Sequence, residues 1–585
     1  MIDDCFLTKI SNVLVIGSGG SGLRSAIEAS LSGLSVNVIG KRSKSDVHSV
    51  LAAGGINAAF GNVDKQDSWQ QHFVDTYKEG YFLGDPESIE ILVKESQELV
   101  SEIDKWGANL QKLSDGNFDQ RFFGAHTYRR TCYSGDFTGR SIIRALLNKA
   151  EKLNIPIDDK QYVFHLLVSD NQVYGAVSIN METGKINVNY ADSVILATGG
   201  HTRIWSRSSS RQRENNGDGL SLALASGCSL IDMEMVQFHP TGMVKPEEIS
   251  GTLVTEAVRG EGGKLFNSNG DRFMQKYDPE RMELSTRDRV AIANYTEIIE
   301  GRATPNGGVY LDISHKDKDF IISKLPRIYR QFIESQMLDI SNEAMEVAPT
   351  AHYSMGGIYV RPGDHSTEVK GLFACGEVAG GVHGANRLGG NSLAEILVFG
   401  RKAGKAAVEF SRKLKNHSRN PEALNQAFLK VGNFIKNGTE IGKKLEHEVH
   451  QIMWQYCGVV RCEEDLNIGL LKLNSIQNKI KDLDVRVNAE SCDDLIQAFE
   501  LEATLLSAHS TILSALKRKE SRGAHQRKDF QKTIDNYKCN FQIKLKNGEI
   551  AIYQIPTKTP NSELNSLINS NSSKEIHDFK GKLLE

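Results

Sequence analysis

Proline is scarce in this chain, 12 residues in 585, and cysteine is scarcer at 8. So few cysteines over this length exclude a disulfide framework. The nearest pair, Cys457 and Cys462, has no second pair beside it, so no metal or iron–sulfur ligand set is expected. No apolar run approaches the roughly 18 residues that a membrane span needs. An excess of one charge is missing too. With 70 Lys+Arg against 73 Asp+Glu, the formal charge of −3 gives no electrostatic reason to expect nucleic acid as a partner. The start, MIDDCFLTKI, lacks a basic n-region and a long apolar core, and does not read as a secretion signal.

What the chain does have is glycine, 52 residues, and length. A single core stops growing well before this size, which argues for roughly three or four structural units. Residues 12–40 read as strand, glycine turn, helix, strand: NVLVIG, then GSGGSG, then Leu23, Ala26, Ile27 and Leu31 at helical spacing, Gly33 as the stop, and SVNVIG. Gly17, Gly19 and Gly22 form GxGxxG. Gly17 permits the tight turn, Gly19 lets a pyrophosphate near the backbone, and Gly22 lets helix pack on strand. The helix N-terminus then faces a phosphate with free N–H groups. The ribose carboxylate of the NAD pattern is absent. Gly40-Lys41-Arg42 stands there, which disfavours a simple NAD dehydrogenase.

Residues 85–106 predict a surface helix, started by Asp85-Pro86 and stopped by Gly107. Residues 161–200 alternate as strands, with a hairpin near Glu182-Thr183-Gly184, and end in a second glycine turn, Ala197-Thr198-Gly199-Gly200. A third glycine-rich piece lies at 371–404: GLFACGE, HGANRLGGNS and the helix SLAEILVFGRKAG. Together they predict an α/β chain with a split two-dinucleotide-type domain (1–235 and 351–410), an inserted α+β capping unit (236–350), a helical domain (411–525) and a C-terminal segment (526–585). The tail from about residue 556 is polar and low in complexity, which predicts mobility. No internal repeat is visible.

The run from Gly17 to Gly404, with SRGAH at 521–525, resembles the flavoprotein subunit of succinate dehydrogenase and fumarate reductase. The resemblance covers most of the chain and implies the fold above with FAD bound. His48, in DVHSVLAAGGI, stands where that family links flavin covalently. Val47 and Ala53 depart from the Ser and Gln common there. FHPTG (His239), LVTExxRGEGG (Thr255, Glu256, Arg259), AHYSMGGI (His352), HGANRLGGNS (Arg387) and RFFG (Phe123) match the substrate motifs. Arg387 would grip one carboxylate of a four-carbon diacid, with His239, Thr255 and His352 at the other. Arg287, in STRDRVA, matches the catalytic arginine, with Glu256 and Arg259 as its proton relay. The cofactor positions implied are Gly17, Gly19, Gly22, Lys41, His48, Ser49, Gly54, Gly55, Ala197, Thr198, Gly199, Asp218, Glu377, Arg387, Ser392 and Leu393. No metal site is implied in this chain.

The resemblance further implies an iron–sulfur partner, a membrane anchor handling quinone, and a peripheral place on the cytoplasmic face of a bacterial membrane. Succinate oxidation and fumarate reduction use the same residues, so direction is not legible. L-Aspartate oxidase is the nearest rival and is similar even in GAHTYRRTCYSGDFTGR. It differs in carrying a carboxylate where this chain has Phe123, and in holding flavin without a covalent link. A flavin-binding scaffold without turnover is the other alternative. The intact clamp and Arg287 argue against it.

Overall fold

Val13, Leu14 and Val15 are fully buried, as a strand covered on both faces requires. A computed structural model describes residues 6–415, 419–487 and 492–570. In it the strand Phe6–Ile16 runs parallel to Val36–Ile39 on one side and to Ile186–Leu196 on the other. Leu372–Ala374 adds in parallel to Ile186–Leu196, so a piece more than 170 residues later completes the same sheet. Gln172–Asn180 and Gln161–Ser169 extend it antiparallel, through the hairpin foreseen near residue 183. The helices Gly20–Leu31 and Asn391–Lys413 pack together closely. A side chain at Gly400 would lie 2.8 Å from the Ser21 carbonyl oxygen, and one at Gly404 2.6 Å from that of Ser25.

The first strand is longer than the apolar run predicts. Phe6–Ser11 pairs with residues 186–191 although its side chains are largely exposed, so hydrophobic patterning did not mark it. The helix foreseen over 85–106 is Pro86–Ile103, with the Asp85 carboxylate accepting from Ser88 N–H at 2.9 Å. Ile89, Leu92, Val93, Leu99 and Val100 are its buried stripe. A wider turn, Asp104–Ala108, follows, and there Gly107 takes φ +104°.

Between Val236 and Ser354 a separate antiparallel sheet forms, with strands Val236–Met243, Met345–Ser354, Val309–Asp312 and Lys264–Phe266 in that spatial order. Its own core of Val254, Leu265, Leu311, Phe332 and Val347 makes it an inserted α+β unit. Helices Pro421–Phe434, Gly442–Tyr456, Glu463–Lys479 and Asp493–Lys517 follow. Residues 489–491, part of the periodic run that suggested the last of these, lie outside the described residues. Cys462 caps one helix, its sulfur accepting from Asp465 N–H.

The C-terminal segment is not a simple tail. Cys539–Lys546 and Glu549–Pro556 form a hairpin whose first strand pairs with Leu230–Ile231. Within the stretch expected to be mobile, Ser562–Ser570 is a helix that seats Leu564 against the cluster of Phe73, Tyr77 and Ile89. Leu567 and Ile568 pack alongside Leu564, a contact that composition alone hid. Residues 571–585 lie outside the described residues.

Candidate active site

Every sequence-chosen site residue except Gly22 and Arg259 lines one cleft between the parallel sheet and the inserted unit. The two exceptions lie just behind it. A side chain at Gly22 would meet the Gly17 carbonyl oxygen at 1.8 Å, and one at Gly17 (φ +116°) the Ala197 carbonyl oxygen at 2.1 Å. The two glycine turns are therefore pressed against each other. Gly19 is the open one, with only Ser49 Oγ near, at 3.6 Å. The helix Gly20–Leu31 begins with no side-chain cap and no acidic residue in its first turn. Ser49 Oγ accepts from Gly20 N–H at 3.3 Å. That is an N-terminus able to receive an anion.

Lys41 replaces the missing ribose carboxylate in a particular way. Its ammonium lies 2.8 Å from Asp218 and 2.7 Å from Glu500, a residue of the far helical unit. Tyr162 OH donates to the other Asp218 oxygen at 3.0 Å. Burial opposes the Lys41 charge, but these two carboxylates overcome it and push its pKa above the ordinary lysine value. Gly54 and Gly55 make room for protein. A side chain on Gly54 would strike the Phe123 ring at 2.8 Å, and one on Gly55 would strike Thr131 and the Cys132 carbonyl. Glu377 Oε1 accepts from Ser354 N–H at 3.0 Å, and burial raises its pKa.

At the other end, the Arg287 Nε–H donates to Glu256 Oε2 at 2.7 Å, and Arg259 Nη2 lies 3.9 Å from Glu256 Oε1. Glu256 precedes the one-turn helix Ala257–Gly260, so the spacing of three brings it beside Arg259. Burial disfavours the Glu256 charge, yet Arg287 and Arg259 hold its pKa down at about 2. His239 and His352 face each other edge to face, ring centres 5.2 Å apart. Burial, with Arg287 and Arg259 for His239 and with His239 and Arg387 for His352, takes both far below the usual histidine range. Both are neutral imidazoles. His239 Nδ1 accepts from Thr241 N–H at 3.2 Å, which leaves the proton on Nε2. Burial and the nearby Arg287 lower Arg387 to about 10.

Arg387 is held without being used up. Nη2 donates to Gln237 Oε1 at 2.9 Å, Nη1 to Ser392 Oγ at 3.1 Å, and the guanidinium lies over the Tyr353 ring at 4.3 Å. Its Nε, like Thr198 Oγ1, is buried with no hydrogen-bond partner. Leu393 and Ser392 open the helix Asn391–Lys413, which also has no side-chain cap and no acid in its first turn. Sequence reading missed Gln237, Ser209 (2.9 Å from His352 Nδ1) and Glu214 (3.1 Å from His48 Nδ1). Gln237 adjoins the FHPTG motif and was within reach. Ser209 and Glu214 sit in a polar loop with no local signal.

Residues 12–393 match the family described as FAD binding domain, and residues 446–564 that described as Fumarate reductase flavoprotein C-term. Fold and cleft thus define an FAD-dependent oxidoreductase. The chain is 44% identical over 537 residues to a fumarate reductase (CoM/CoB) polypeptide of Methanothermobacter marburgensis, spanning 92% of this chain and 97% of that one. It is 36% identical over 544 residues to a succinate dehydrogenase flavoprotein subunit of Rickettsia felis, spanning 89% and 90%. An E. coli quinol fumarate reductase structure superposes with a TM-score of 0.90 at 33% identity, covering 95% of this chain and 98% of that chain. The chain belongs to the succinate dehydrogenase/fumarate reductase flavoprotein subunit family.

The residues present suit FAD. Gly19 is open, two helix N-termini are uncapped, and the unpartnered Thr198 hydroxyl and Arg387 Nε line the cleft between them. Among the described residues no helix is long and apolar enough to cross a membrane.

Proposed function

We propose that this chain interconverts succinate and fumarate. The observation that supports it most is the Arg287–Glu256–Arg259 line beside His239, Thr255, His352 and Arg387 in one cleft. Arg387 meets one substrate carboxylate as a cation with a free Nε–H. His239 donates through Nε2–H to the other, joined by Thr255 and His352. Because both histidines are neutral, they orient the diacid without competing with Arg387 for it.

Bound FAD supplies the two-electron chemistry, taking or giving a hydride. Arg287 holds the proton that leaves or joins the neighbouring carbon. Glu256, ionised across the working pH range, compensates that guanidinium and passes the proton toward Arg259. Phe123 packs between Gly54 and Gly389 and excludes water there. His48 anchors the flavin covalently. The remaining cofactor contacts fall to Gly17, Gly19, Gly22, Lys41, Ser49, Gly54, Gly55, Ala197, Thr198, Gly199, Asp218, Glu377, Ser392 and Leu393.

Electrons leave through an iron–sulfur partner to a membrane anchor and quinone, which makes the chain a peripheral subunit on the cytoplasmic face. A second reading concerns only that far end. The 44% identity to a protein named fumarate reductase (CoM/CoB) favours thiol coenzymes as the electron source, with flux toward succinate. Purified protein should oxidise succinate with a dye acceptor and reduce fumarate with a reduced viologen, and should leave L-aspartate untouched. Turnover of L-aspartate alone would establish the rival oxidase. Fumarate reduction by the reconstituted complex with quinol, against that with coenzyme M plus coenzyme B, separates the two electron sources.

A further inference from the structure

The proton-transfer and clamp residues do not account for Glu214, a buried carboxylate at the covalent-link position. Its side chain is 4% exposed. Oε2 lies 3.1 Å from His48 Nδ1 and accepts from Arg211 N–H at 3.1 Å. Oε1 accepts from Arg211 Nε at 3.1 Å and lies 3.2 Å from Arg42 Nε. Asp46 ties both arginines together from the other side. The carboxylate is thus fixed in place and in charge. Burial opposes its ionisation, but His48 and Arg211 hold its pKa at about 2.

An ionised carboxylate can only accept, so Nδ1 of His48 must carry the proton. In the neutral ring Nε2 then keeps its lone pair, and it makes no hydrogen bond to any described residue. His48 itself lines the cleft, 28% exposed, on the one-turn helix His48–Leu51.

We propose that Glu214 is the positioning residue for flavin attachment: it fixes His48 as the Nδ1–H tautomer and stabilises the positive charge that grows on the ring as Nε2 forms its bond. This rests on the covalent reading of His48 given above. In that reaction one C–H bond of the flavin 8α methyl breaks and its proton is released. Nε2 forms a bond to the same carbon, and the ring system keeps the electron pair. The Nδ1 proton is shared with, then lost through, Glu214. Fumarate or dioxygen takes up the two electrons with two protons, becoming succinate or hydrogen peroxide, and leaves oxidised, attached flavin. The arrangement parallels the carboxylate–histidine pairs that set tautomer and basicity elsewhere.

The charged groups facing His48 are Glu214, Glu377 and Arg211, and the titratable His352, itself held far below the usual histidine range, also lies near. Burial works against the imidazolium, the two carboxylates outweigh it, and the His48 pKa lies above the ordinary 6.5. Attachment therefore accelerates as pH rises through that higher value.

The test incubates apo-protein with FAD and fumarate, using wild type, His48→Ala, Glu214→Gln and Glu214→Asp. Attached flavin is read as acid-stable fluorescence on a denaturing gel, and unattached flavin as what acid releases. Wild type should attach FAD and His48→Ala should not. Glu214→Gln should bind the same total FAD but attach it about tenfold to hundredfold more slowly, with its pH midpoint moved down. Glu214→Asp, which keeps the charge on a shorter arm, should recover part of the rate. Glu214→Gln attaching at the wild-type rate and pH midpoint overturns the proposal while the His48 link stands. Equal loss of total FAD binding in both Glu214 variants also overturns it, because Glu214 would then be structural. Wild type that binds FAD yet shows no acid-stable flavin removes the covalent reading and this proposal with it.

Discussion

The two ends of the cleft are built by different means. At the glycine end the work falls to backbone: two turns in contact, one open glycine and a bare helix N-terminus. At the substrate end it falls to charged side chains taken out of water, with Arg287, Glu256, Arg259 and Arg387 between 0% and 14% exposed. The first end is specified by shape and fails when volume is added. The second is specified by charge and fails when one partner is removed, since its neighbour is left buried and uncompensated.

The sharpest break in this contrast is at Arg287. Arg287→Gln keeps a polar side chain but removes the proton carrier, so turnover of succinate and fumarate should fall by about 10²–10⁴-fold while bound FAD, read by absorbance, is unchanged. Next is Arg387→Lys. Keeping the charge but losing the planar fork should raise KM for both diacids by roughly tenfold to hundredfold. At the opposite end, Gly22→Ala adds one methyl group 1.8 Å from the Gly17 carbonyl oxygen. It should cost about 1–3 kcal/mol in thermal unfolding and weaken FAD retention, with the substrate KM of the remaining holoenzyme unaltered.

The last effect is in acid. Glu214 and Glu256 titrate at about 2 in the folded chain against an ordinary 4.5. Their depressed pKa values stabilise the fold fully above the unfolded value, and that contribution disappears as pH falls through about 4.5 toward 2. Tm should therefore drop over that window. A Glu256→Gln variant should show a shallower drop, whereas Gly22→Ala should shift the whole curve down without changing its slope.

How legible each end was follows from the same contrast. Backbone devices leave local marks. GSGGSG between a strand and a helix, ATGG after a strand, and Asp85-Pro86 opening a helix could be read within a dozen residues. The side-chain motifs were readable as a set, through their resemblance to a family. Pairings between distant segments were not readable. Nothing near Lys41 announces Glu500, nothing near His48 announces Glu214, and nothing near Leu230 announces the hairpin at 539–556. A parallel or long-range contact depends on where the chain returns, and local periodicity carries no record of that. The helix Ser562–Ser570 was hidden for a different reason. Its docking rests on a few apolar side chains in a polar stretch, below what composition detects.

The central sheet also dictates when the protein can become competent. Three of its strands come from residues 6–16, 186–196 and 372–374, the helix bearing Ser392 and Leu393 comes later, and one of the two partners of Lys41 is at position 500. During synthesis from the N-terminus, the first glycine turn emerges hundreds of residues before the carboxylates and arginines that complete its cleft. Cofactor loading is therefore a late event on the ribosome's timescale, and the nascent chain carries an unfinished parallel sheet through most of its translation.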